Sequence, residues 1–269
     1  MASSTDRVFP ALLKYWRHHR GMSQLDLGLA AEVSARHLSF LETGRSGPSP
    51  EMILLLCDVL DVPLRDRNAM LRSAGFDAHY PETPVDELLT GPLGNAIDTM
   101  FASHEPNPVM LVDRHYDIVR TNHSGFVLAT HFVGDADDIN LLTALFDPAI
   151  GGRVIENWNQ VARTTLRRLQ REILHQPEDI RLRALLDDVL AQPAVDPSWR
   201  TPSLGHAEEP FVPVILALEG LPRMSFLTTV TAFTAPQNVA LDELMIETWF
   251  PSDAATAAAC VEYLGAGLD

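Results

Sequence analysis

Cysteine is nearly missing from this chain. Only Cys57 and Cys260 occur in 269 residues, each within an apolar segment, which argues against a disulfide framework or a cysteine-rich metal site and leaves two ordinary buried thiols. Long apolar runs are missing too, since none approaches the roughly 18 residues of a membrane-spanning helix. The opening MASSTDRVFP lacks a basic stretch followed by an apolar one, so a soluble, cytoplasmic protein with no membrane partner is expected. Catalytic signatures are lacking as well. No P-loop, GxSxG or GxGxxG stands in its required context, and His104, His115, His123, His131, His175 and His206 fall at neither HExxH nor paired-cysteine spacing. An enzyme, a bound metal and a cofactor are therefore not expected.

The apolar content, 46%, is enough for sizeable cores, and the length suits two domains. Charge divides unevenly between them. Residues 1–80 balance nine basic residues against nine acidic ones, so the whole net charge of −16 falls in the remainder. The first segment is able to face a polyanion and the second repels it. Prolines and glycines cluster in DAHYPETPVDELLTGPLG. The expected organisation is one domain over residues 1–76, a linker or hinge over 77–94 and a second domain over 95–269.

The first domain reads as five helices. Leu12, Leu13 and Trp16 recur at helical spacing ahead of Gly21. Ser23 then caps a second helix with Asp26 three residues on, Ser34 caps a third that closes near Gly44, and Ser49 with Pro50 starts a fourth. A fifth begins at Pro63 and runs to Gly75. Only Glu32, Val33 and Ser34 separate the second helix from the third, so the two must cross steeply, with Gly28 and Ala31 as the small residues at the crossing. That is a helix-turn-helix. On its second helix Ala35, Arg36, His37 and Ser39 point away from the apolar Leu38 and Leu41, a polar face that fits a major groove.

The run SQLDLGLAAEVSARHLSFLETGRSGPS followed by EMILLLCDVLDV resembles the lambda-repressor-like, XRE-type DNA-binding domain over about residues 9–75. The resemblance implies that Gln24 and the cap Ser34 meet the DNA at the helix starts, that Arg36, His37 and Ser39 read the groove, and that Arg45 and Ser46 approach phosphates. Arg17, Arg20, Arg36 and Arg45 are candidates for the basic patch such contact needs. Glu32 stands where the family usually has glycine, and a left-handed residue there costs about 1 kcal/mol.

Beyond the hinge, Pro108–Val112 and Tyr116–Arg120 form a hairpin signal, helices dominate from Asn140 to about Gln192, and three strand-like runs return in PFVPVILALEG, RMSFLTTVTAFTAP and ALDELMIETWFP. Together these give an α+β fold: an all-α helix-turn-helix domain followed by a PAS-like domain with a five-stranded antiparallel sheet and inserted helices. HEPNPVMLVDRHYDIVRTN, ENWNQVARTTLRRLQRE and FLTTVTAFTAPQNVALDELMIETWFPSDAAT resemble the ligand-binding domain of MmyB-like transcription regulators. That resemblance implies a homodimeric regulator whose PAS-like domain encloses a hydrophobic ligand such as a fatty acid or other acyl compound. From the residues themselves, Phe126, Trp158 and Phe226 are the candidate pocket wall, and Arg120, Arg153 and Asn157 the candidate holders of a carboxylate head. The expected partners are a duplex operator, a small hydrophobic ligand and a second copy of the chain. A rival assignment is a ligand-binding adaptor whose helical domain docks protein, which would show no salt-dependent affinity for any duplex.

Overall fold

A computed structural model of the chain describes residues 8–133, 139–176, 179–201 and 211–265. Two compact units divide it, Met1–Val85 with Thr234–Asp242, and Asp86–Phe233 with Glu243–Asp269. The first boundary falls at Val85, inside the stretch 77–94 expected to be a linker. Residues 234–242 group with the first unit although they lie within the expected second domain.

In the first unit α1 (Val8–His19), α2 (Gln24–Ala30), α3 (Ala35–Glu42), α4 (Pro50–Val59) and α5 (Leu64–Ser73) surround a core in which Leu13, Leu27, Leu38, Leu41, Ile53 and Leu56 are fully buried. Three of the helix starts are set locally by serine. The Ser23 hydroxyl accepts from the Asp26 N–H while the Asp26 carboxylate accepts from the Ser23 N–H; Ser34 and Ser49 accept from His37 and Met52. The α2–α3 crossing depends on Gly28. A Cβ there would stand 2.6 Å from the Val33 carbonyl oxygen, and the Val33 N–H already donates to the Gly28 carbonyl at 2.8 Å.

Glu32, in the turn between these helices, has φ 56°, the left-handed conformation that disfavours a side chain. Glu32→Gly is therefore expected to stabilise the first unit, by up to about 1 kcal/mol once glycine's greater freedom in the unfolded chain is subtracted. Thermal unfolding checks it; an unchanged or lowered midpoint would show that the turn holds glutamate without strain.

After α5 the chain continues through α6 (Val85–Leu88), α7 (Pro92–His104), β1 (Val109–Val112), β2 (Ile118–Thr121), α8 (His123–Val133), α9 (Leu141–Phe146), α10 (Gly151–Val154), α11 (Trp158–His175), α12 (Ile180–Ala191), β3 (Val214–Leu216), β4 (Met224–Ala232), α13 (Val239–Asp242), β5 (Met245–Pro251) and α14 (Ala254–Ala259), most of them in the second unit. Of these, α13 and the first residue of α6 group with the first unit. The sheet runs β2-β1-β5-β4-β3, antiparallel throughout, so the hairpin and the three-strand meander join through β1 and β5, with α8 to α12 inserted between β2 and β3. This is the expected α+β layout. Met110 pairs with Glu247, and Thr228 with Trp249, which places these four side chains on one face.

The segment joining β4 to β5, strand-like in sequence from Ala240 onward, carries α13. Pro63 offers α5 no side-chain cap, and the Asp242 carboxylate accepts from the Leu64 N–H at 3.1 Å instead. Val239, fully buried, donates its N–H to the Pro81 carbonyl at 2.9 Å. Both cysteines are buried, and burial pushes the thiol of Cys57 up to about 12 and that of Cys260 up to about 11, which makes them poor nucleophiles.

Candidate functional site

The arginines of the first unit fall into two groups. Arg17 is buried and grips Glu42 through Nε at 2.6 Å and Nη2 at 3.0 Å, and Glu42 also accepts from the Gln24 amide at 2.8 Å. Burial pushes the Glu42 carboxyl up, but the bonds from Arg17 and Gln24 outweigh it and hold the group below its ordinary value of 4.5. Arg20 donates to the Leu60 carbonyl at 2.6 Å and lies beside Asp61. Arg67 pairs with Asp58, while Arg65 and Arg72 share Glu82. Arg17, expected to help form a basic patch, is instead buried against Glu42, and Arg20, half-buried, is engaged by the Leu60 carbonyl and Asp61.

Arg36 and Arg45 differ. Both are exposed, and neither has a carboxylate within ion-pair distance among the described residues. Arg36 is steadied by the Phe40 ring, 5.4 Å from its guanidinium. Arg36, His37 and Ser39 sit on α3 away from buried Leu38 and Leu41, and Ser34 caps the start of that helix, where the dipole favours an anion. Ser46 and Arg45 follow in the turn after α3, the Ser46 hydroxyl engaged among the described residues by a 3.4 Å contact to the Gly47 carbonyl. Gln24 opens α2 with its amide aligned by Glu42. Seven positions thus present side chains along α3 and its two flanks.

The second unit contains a cavity of about 240 Å³. Its floor is the sheet face bearing Met110, Thr228, Glu247 and Trp249, and α8 and α9 supply apolar walls through Leu128, Phe132, Leu142 and Leu145. α11 turns a different stripe inward. Val161, Thr164, Thr165, Arg168 and Arg171 all line the space, a spacing of three and four residues that keeps them on one helix face. Arg168 Nε lies 3.1 Å from the Tyr116 hydroxyl and 3.2 Å from Glu172, and Tyr116 donates to Glu172 at 2.5 Å. Burial pushes the Tyr116 hydroxyl up, so it remains a donor. Burial also raises Glu247 above its ordinary 4.5, against the pull of Arg168 and a hydrogen bond from the Trp249 indole N–H at 3.1 Å.

The six residues expected to form the ligand site stand elsewhere. Phe126 is 59% exposed on α8, whereas Phe226 is fully buried with its ring edge against Trp249. Trp158 donates its indole N–H to the Leu145 carbonyl at 2.7 Å and packs between the rings of Phe146 and Trp199. Arg120 pairs with Asp98 at 2.7 Å, and Arg153 donates to the Ala149 carbonyl at 3.2 Å. Asn157 bonds the Pro213 carbonyl and the Ile215 N–H, which fastens β3. In place of Arg120 and Arg153, the cavity receives Arg168. The sequence holds two signals for it: the α11 stripe, and a glutamate between Met245 and Trp249 on the inward face of β5. Of the histidines weighed for a metal site, His206 and the side chain of His175 lie outside the described residues.

A family model described as the MmyB-like transcription regulator ligand binding domain matches residues 93–261, and a helix-turn-helix model matches residues 13–66. No curated protein matches the chain.

Proposed function

The chain belongs to the MmyB-like transcription regulators, DNA-binding proteins with a ligand-sensing domain, and on that premise we propose that it binds a duplex operator as a homodimer under the control of a medium-chain acyl amphiphile. A single helix-turn-helix reads only a few base pairs, and two copies on half-sites about 34 Å apart are the geometry this motif uses. Arg36, His37 and Ser39 are the base-reading residues; Ser34, Arg45 and Ser46 hold phosphates, and Gln24 supports the helix start. The observation that carries the DNA half is the division of the arginines, with Arg36 and Arg45 left without a carboxylate on and just after α3. Phosphate attraction needs such a local patch rather than a basic chain.

Arg36→Ala is expected to weaken binding to a duplex selected from a random pool by about 1–3 kcal/mol and to relax preference at one base position. Arg45→Ala weakens all sequences alike and lowers the salt slope by about 1. Fluorescence anisotropy titrations at several salt concentrations check both, and affinity indifferent to salt would favour the adaptor.

Cavity size sets the ligand. A space of about 150 Å³ admits benzene with its six heavy atoms, so 240 Å³ suits about ten. Octanoate, with ten heavy atoms, is the matching acid, its tail along α8 and α9 and its head toward α11. The ligand acts on the operator only as far as it favours one dimer state over another. Native mass spectrometry of the full-length protein tests the occupant: one amphiphile per subunit is expected, either carried through purification or restored by added octanoate. No adduct in either case would remove the sensor reading.

A further inference from the structure

Two polar groups in the cavity face each other without touching. Arg168 engages Tyr116 and Glu172 through Nε, and among the described residues no hydrogen bond uses Nη1 or Nη2. Glu247 accepts the Trp249 indole N–H on Oε1, and nothing described bonds Oε2. Each acts electrostatically on the other, no ion pair joins them, and both are open to the same cavity. Both belong to the wall of the cavity.

Their surroundings decide what that third group is. From α11 the charged neighbours are Arg168, the exposed Arg171 and Glu172, and from the turn between β1 and β2 comes the Tyr116 hydroxyl. On either side in the sheet Glu247 is paired with Met110 and Val230, and α8 and α9 contribute only apolar side chains to the lining. Arg168 and Glu172 balance each other. An anionic head placed on the open amino groups of Arg168 therefore meets Glu247 as the one remaining acid among the described residues of the lining. Two carboxylates at one buried site cannot both stay ionised at low cost.

We propose that Glu247 and Arg168 form one head-group subsite in which an acidic amphiphile binds as its carboxylate, held by the Arg168 amino groups and by a proton that Glu247 takes up to become the second donor. This rests on the reading of the cavity as an amphiphile site. The step is a proton uptake from solvent to a Glu247 oxygen, with no bond of the ligand made or broken. Burial already biases Glu247 toward its protonated form, so the uptake starts from a group poised for it. An uncharged alcohol of the same length pairs with Glu247 in either form and takes up no proton. Glu247 thus makes affinity for acids, but not for alcohols, depend on pH.

Isothermal titration calorimetry of the delipidated full-length protein separates these cases, with octanoate and octan-1-ol as probes between pH 6 and 9. Octanoate affinity is expected to fall at least tenfold across that window. Uptake of up to one proton per molecule bound should appear when buffers of different ionisation enthalpy are compared. Octan-1-ol should bind with constant affinity. In Glu247→Gln, octanoate binding should persist and lose its pH dependence. Octanoate binding in the native protein that is flat across the window would overturn the proposal, and so would proton uptake surviving in Glu247→Gln. If neither probe binds, the amphiphile reading itself fails. Should Glu247→Gln not fold, the proton count on the native protein still decides.

Discussion

Glu42→Ala is expected to destabilise the first unit by about 3–5 kcal/mol, because it leaves the Arg17 guanidinium buried without its counter-charge. Arg17 and Glu42 have side chains only 7% and 4% exposed, so water cannot replace the lost partner. Folding free energies are typically about 5–15 kcal/mol, so this substitution removes much of the margin. It also releases the Gln24 amide at the start of α2, and operator binding should fail with the fold. Urea titration followed by fluorescence of Trp16, which is buried in the same core, measures the loss. A change below about 0.5 kcal/mol would mean the pair lies closer to water than its geometry says. The double replacement Arg17→Met with Glu42→Leu should recover most of the stability, since paired apolar residues avoid the cost of burying charge. Acid acts on the same bond. The Glu42 carboxyl is held below 4.5, so its contribution is complete above that value and is lost as pH falls through the lowered one.

Asp179→Ala should cost the second unit about 3 kcal/mol through two losses at once. The carboxylate, 5% exposed, pairs with Arg114 and lies 3.1 Å from His115 Nε2, while its Oδ1 accepts the Leu182 N–H at 2.9 Å and caps α12. Among the described residues Arg114 would keep Glu243, at 2.6 Å, as its one carboxylate. Burial pushes Asp179 up, but the Leu182 N–H and Arg114 prevail and bring it down to about 2. Its stabilising effect is thus whole above its ordinary 3.8 and fades between there and about pH 2. Asp179→Asn retains a capping oxygen and loses the charge, so it should fall between the native protein and the alanine variant. Trp199, packed beside α11 and α12, reports the transition in denaturant. Equal stabilities for the asparagine and alanine variants would assign the whole effect to the ion pairs.

The sequence spoke most clearly where structure is local. The helix-turn-helix was legible because its signals lie within five residues of what they control: Ser23 and Asp26 close one cap, Ser34 another, and Gly28 touches Val33. The strand pattern of the second unit was legible for the same reason. The cavity was not. Its lining gathers from β1, β2, α8, α9, α11 and three further strands, and hydrophobicity alone does not tell Leu142, which lines the space, from Phe226, which fills the core beside it. Charge misled in a similar way. Whether an arginine turns inward depends on carboxylates far along the chain, and Arg120 was claimed by Asp98 while Arg168 was turned into the cavity. α13 was missed because ALDEL continues directly into the apolar run of β5, so one strand was read where a short helix precedes it.

The placement of Thr234–Asp242 with Met1–Val85 makes the first unit a body of two pieces, so the chain passes between the units at three points. Swapping sensors among such regulators then differs from joining beads on a string. A chimera made by one crossover after Val85 would carry α5 without the Asp242 carboxylate at its start and without Val239 in its packing. Exchange of sensors that keeps the first unit whole requires three junctions, with the native nine-residue piece retained between the fourth and fifth strands.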